Sequence, residues 1–125
     1  MKLKQIFYLL TLALFVVLWS YSVSASQFIE GIDDVPIMED MEQLHANNVS
    51  FGNNDIRFVE AYFSDKKAKF SQVAQFYQET LPQLGWKFIE KRKNHLTFER
   101  DSETLDIVEE NKSPLLVRIT LKSKN

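Results

Sequence analysis

The chain has 125 residues, 45% of them apolar, and no cysteine. That length allows one domain, and the missing cysteine excludes a disulfide framework, a lipid-attachment thiol and thiolate chemistry. Seventeen acidic against 15 basic side chains give a formal charge of −2, a balance that argues against polyanionic partners in general.

Lys2 and Lys4 precede an apolar run from Ile6 to Trp19, and Ser20 to Ser26 is small and polar. This is the layout of a secretory signal peptide, with Val23 and Ala25 as the small residues before a cut after Ala25. Residues 1–25 are therefore read as the signal, and Ser26 as the first mature residue. The alternative is an uncleaved anchor, because Ile6 to Val23 is an 18-residue stretch, the lower limit for a spanning helix. Cleavage makes the domain periplasmic or secreted. Retention makes it inner-membrane anchored with the domain in the periplasm, and only through this uncleaved segment is membrane contact expected.

Residues 26–48 form an acidic leader or linker, and residues 49–125 the α+β domain. From 26 to 56 there are seven carboxylates and no Lys or Arg, whereas 57 to 125 carry 13 basic and 10 acidic side chains. The leader holds an extended piece, Asp34-Val35-Pro36-Ile37-Met38, and a helical turn around Glu39 to Leu44. It has too many apolar residues for a solvated tail, so part of it is expected to dock on the domain.

Val49 to Phe51 reads as a short strand, Gly52-Asn53-Asn54-Asp55 as a turn, and Ile56 to Phe63 as a long strand with apolar residues on both faces. After a charged connection with Ser64, Asp65 or Ser71 as helix cap, Phe70, Val73, Phe76, Tyr77, Leu81 and Leu84 recur at spacings of three and four. That spacing predicts a helix from about 70 to 81 or 84, ended by Pro82 and Gly85. Trp86 should then fold back over Leu81, packed rather than functional.

Trp86 to Lys91 and Leu96 to Arg100 follow as strands joined by Arg92-Lys93-Asn94-His95, then Thr104 to Glu109 and, after a turn at Glu110 to Pro114, Leu115 to Leu121. Short turns force neighbouring strands to run antiparallel. The expected fold is α+β, an antiparallel sheet of about five to six strands with one helix packed across one face.

Asp34-Val35-Pro36-Ile37-Met38, the segment Phe76-Tyr77-x-x-x-Leu81-Pro82-Gln83-Leu84-Gly85-Trp86 and Leu96-Thr97-Phe98-x-Arg100 resemble a group of small exported alphaproteobacterial proteins of uncharacterised function. The resemblance covers most of the chain after the signal. It departs at Glu39-Asp40-Met41, where the group favours a Pro-Gly-Leu-like turn. Similar helix-end segments also occur in other secreted and lipoprotein domains. The resemblance implies export and a small α+β domain, and brings no catalytic residue with it.

No catalytic, cofactor-binding or metal-ligating residue is nominated. His45 and His95 are the only histidines, and both are read as solvated, in the leader and in a hairpin turn. Asp33, Asp34, Glu39, Asp40 and Glu42 lack the alternation and central glycine of a calcium loop. No Gly-x-Ser-x-Gly occurs, and Gly31, Gly52 and Gly85 are too scattered for a phosphate cradle. Two basic clusters, Lys66, Lys67, Lys69 and Lys91, Arg92, Lys93, are read as solvated turns at opposite ends of the helix-to-strand unit. They could face an anionic membrane surface or an acidic partner. Nucleic acid is not expected as a partner of an exported chain without interleaved aromatics on a basic face. The expected function is an exported binding or interaction module of the bacterial cell envelope, with an envelope protein as the possible partner. The alternative is an enzyme whose site no linear motif reveals.

Overall fold

The computed structural model describes residues 2–6, 27–53 and 55–124. The cut after Ala25, and all of the expected signal segment but residues 2–6, lie outside the described residues. Among the described residues no helix is long and apolar enough to cross a membrane. The elements follow in chain order as β1 (Phe28–Ile29), β2 (Ile32–Pro36), β3 (Glu42–Gln43), β4 (Val49–Gly52), β5 (Arg57–Asp65), α1 (Phe70–Thr80), β6 (Lys87–Arg92), β7 (His95–Arg100), β8 (Glu103–Lys112) and β9 (Leu115–Ser123). Short 3-10 turns stand at His45–Asn47 and Leu81–Leu84.

The fold is α+β, mostly antiparallel sheet with one main helix. Two points correct the expectation. Among the described residues there are nine strands, and they form two sheets. In the large sheet β5, β9, β8, β7 and β6 lie side by side, while β3 and β4 share the other edge of β5, opposite Phe63–Ser64 and Arg57–Glu60 respectively. The small sheet is the hairpin of β1 and β2. The leader hides these strands from a search for alternation because each is short and the turn at Glu30-Gly31 breaks the period between Ile29 and Ile32. β8 also runs past Glu109 to Lys112, accommodated by an irregularity between Glu109 and Asn111, where the sequence suggested a turn.

Period-two alternation decides which face is the core. Val59, Ala61 and Phe63 of β5, Val117, Ile119 and Leu121 of β9, Leu105 and Ile107 of β8, and Leu96 and Phe98 of β7 are all buried on one face. Phe70, Val73, Ala74 and Tyr77 of α1 cover it, together with Leu81 and Trp86. The leader completes the layer: Ile29, Ile32 and Val35 are 0–1% exposed, and Ile37, Met38 and Met41 pack against them in part.

α1 passes at Leu81 into a tighter turn that contains Pro82, whose missing N–H ends the α-helical ladder. Gly85 adopts φ +89°, and the Trp86 N–H bonds the Leu81 carbonyl at 3.1 Å, the closure expected of a glycine-terminated helix. At the other end the N-cap is Lys69, not Ser64, Asp65 or Ser71, and the side chain that caps the first turn is that of Gln72. Gln72 Oε1 accepts the Lys69 N–H at 2.8 Å, and Asp65 Oδ1 is used earlier, by the Lys67 N–H.

Candidate functional site

A cleft of about 430 Å³ opens where the start of α1 meets the β6–β7 hairpin and the end of β8. Lys69, Phe70 and Ser71 line it from α1, Lys91 and Lys93 from the hairpin, and Glu109 and Lys112 from β8. Register explains the convergence. Lys91 stands opposite Leu96, whose side chain is buried toward α1, so Lys91 also lies on the helix side of the sheet. The Glu109 N–H donates to the Asn94 carbonyl at 2.9 Å, which ties the hairpin tip to β8. Asn111 Nδ2 donates to the Pro114 carbonyl at 2.8 Å, fixing the turn that follows Lys112.

The cleft is thus lined by four exposed lysines and one glutamate beside the positive end of the α1 dipole. Among the described residues none of the four lysines belongs to an ion pair. Here the structure corrects the sequence reading: Lys69 and the Lys91, Lys93 pair do not sit at opposite ends but line one concavity. Glu109 reads from the sequence only as a strand-end neighbour of Glu110 pointing to the other side, and nothing in the sequence marks Lys112. The signal for them is register, since both precede the turn that returns the chain into β9.

On the opposite face of the sheet Arg118, Lys122 and Lys124 have carboxylate partners, and Lys87 has none among the described residues. Cross-strand register aligns Glu60, Thr120, Asp106 and Thr97 in one row across four strands, with Tyr62, Arg118, Val108 and His95 in the next. Arg118 Nε donates to Glu110 at 2.6 Å, and that carboxylate raises the Arg118 pKa. The Tyr62 hydroxyl donates to Glu60 at 2.9 Å, and its pKa is raised by burial first and by Glu60 second. At the other end of the core side, in step with Val59 and Leu105, Arg57 makes a two-toothed pair with Glu103, at 2.9 and 3.0 Å.

His95 begins β7 rather than ending a turn, and its Nε2 lies 2.7 Å from Asp106 Oδ1. The Thr97 hydroxyl donates to the same oxygen at 3.0 Å. His95 is therefore engaged rather than simply solvated, whereas His45 meets only Glu30, at 2.8 Å on the surface. The Thr97 hydroxyl also lies 3.4 Å from His95 Nε2, so the three side chains form one connected cluster. Asp34 of the leader pairs with Arg100 and is not part of a cation cage. Among the described residues no three His, Cys, Asp or Glu side chains are placed to hold a metal.

Comparison with protein-family models, with curated proteins and with solved structures finds no match to this chain.

Proposed function

We propose that this chain is an exported binding or interaction module of the bacterial cell envelope, working without catalysis, and that its contact surface is the lysine-lined cleft. The observation that carries this reading is the contrast in charge pairing. Arg57, Arg118, Lys122 and Lys124 have carboxylate partners, whereas Lys69, Lys91, Lys93 and Lys112 have none among the described residues; Lys66, Lys67 and Lys87 have none either, but only the first four line one cleft. Like charges held around one concavity raise its potential, and a counter-charge from outside relieves it. The chain's net negative charge is no obstacle, since a local cluster sets the field in its own cleft. Export is supported by the signal-like segment 1–25 and by the resemblance to small exported alphaproteobacterial proteins. Binding rather than catalysis is supported by the filled core and by the sheet edge at β6, where Phe88 and Ile89 stay exposed close to Lys91.

A photocrosslinking residue at Ser71, on the rim of the cleft, tests the reading in the native envelope. The expected result is a defined adduct that disappears when Lys91 and Lys112 are both changed to Gln. An adduct indifferent to those changes, or none at all, overturns it.

A further inference from the structure

We infer that the cleft takes a phosphate-bearing ligand with two or more negative charges close together; this rests on the cleft being the binding surface proposed above. The first argument is the charge that must be met. Lys69, Lys91, Lys93 and Lys112 against Glu109 leave the lining with a clear positive excess, and one singly charged group would leave most of it unanswered. The second is shape. The lysines come from three separate parts of the chain around one volume of about 430 Å³, within the range of small-molecule sites, roughly 300 to 1,000 Å³. An extended acidic peptide presents same-side carboxylates in a line, about 7 Å apart. A line suits a basic stripe, and a compact polyanion suits an open cleft lined by lysines from separate parts of the chain.

The third argument is the type of cation. No arginine lines the cleft. Lysine is a compact charge on a flexible stem with donors that can turn, and it makes no demand for the planar, two-toothed geometry that matches a carboxylate to a guanidinium. Phosphoryl oxygens spread their charge over a tetrahedron, and several mobile ammonium groups can approach it from different sides. The shared chemistry is thus the phosphoryl group, carried either by a free phosphate compound or by a lipid headgroup.

The test uses the protein as the cell exports it. Inorganic phosphate and pyrophosphate are titrated by calorimetry, flotation is measured with vesicles of phosphatidylcholine alone or mixed with phosphatidylglycerol, and polyglutamate stands for an acidic protein segment. Three forms are compared: the unchanged protein, Lys91→Gln with Lys112→Gln, and Lys122→Gln with Lys124→Gln, which removes equal charge from the paired face. Pyrophosphate binding tighter than phosphate, weakened about tenfold or more by the cleft pair only, is the expected result for a free ligand. Flotation that needs phosphatidylglycerol and is lost in the cleft pair supports the same assignment with a lipid as source. Polyglutamate binding as tight as any phosphate probe, equal losses in both double variants, or no binding of phosphate probes at low salt overturns it. If phosphate probes fail while the Ser71 adduct persists and still needs Lys91 and Lys112, the binding module stands and only the ligand assignment falls.

Discussion

The guanidinium carbon of Arg100 lies 4.2 Å above the centre of the Trp86 ring. The same side chain donates to the Leu84 carbonyl at 3.1 Å and pairs with Asp34 of β2. One residue of β7 therefore clasps the end of the helix, the ring behind it and the leader. Beneath Arg100 the ring is 2% exposed, so its role is packing.

Trp86→Ala should destabilise the domain by roughly 3 to 5 kcal/mol, the usual cost of emptying a buried aromatic site. Trp86→Phe should cost clearly less, because the Trp86 Nε1 has no hydrogen-bond partner to lose among the described residues. Denaturant titration of both variants checks the order. A loss under about 1 kcal/mol for Trp86→Ala would contradict the packing role.

Tyr77 ties α1 to the leader, its hydroxyl donating to the Pro36 carbonyl at 2.8 Å. Tyr77→Phe leaves that carbonyl without this donor and should cost about 1 to 3 kcal/mol. Burial pushes the Tyr77 pKa well above its ordinary value, which gives the effect a pH signature. The folded state holds the proton where the unfolded chain has begun to lose it. The Tyr77 contribution is thus fully present below about pH 10 and is lost as pH rises from there toward the folded pKa. Stability measured between pH 8 and 11 should fall more steeply in the unchanged protein than in Tyr77→Phe. Tyr62→Phe is the control for the second tyrosine whose pKa is raised.

Gly52 closes the β4–β5 connection at φ +144°, and a Cβ there would lie 2.1 Å from the Ile56 carbonyl oxygen. Asn53 holds the same turn, its side chain accepting the N–H of Asp55 and of Ile56 at 2.9 and 3.0 Å. Gly52→Ala must open this turn, at more than about 1 kcal/mol. Amide exchange should quicken at Val49 to Gly52 and at the facing residues of β5, with β8 and β9 unaffected.

Strands with clean alternation, such as Leu115, Val117, Ile119 and Leu121, were legible because one side chain in two must leave water. The helix end was legible for a covalent reason, since Pro82 lacks a donor and Gly85 tolerates positive φ. In the leader the extended piece around β2 was legible, but β1 and β3 were not, because each is two residues long and β3 pairs with β5, some twenty residues on. The cleft was half legible. Its lysines were seen as clusters, but nearness in space between Lys69 and Lys112 depends on register, which local spacing does not contain. The same limit hid Asp106 as the partner of His95, eleven residues away across a hairpin.

The leader is held by its apolar side chains and not by its charges. Ile29, Ile32 and Val35 are buried to 0–1% exposure, deeper than Ile37, Met38, Met41 and Leu44, which a composition argument weights equally. Burying three such side chains contributes roughly 5 to 8 kcal/mol as an upper estimate. Against this, the Glu30–His45 pair is about 70% exposed on both sides and Asp34 is half exposed beside Arg100; exposed pairs contribute about 0 to 1 kcal/mol and weaken with salt. Amide exchange on residues 28 to 37 should therefore stay slow at low and at high ionic strength. Ile32→Ala should release it at either, with a loss of about 2 to 5 kcal/mol, while Asp34→Asn should change it little. Protection that vanishes with added salt, or that Asp34→Asn removes as fully as Ile32→Ala, would mean that charge pairing holds the leader in place.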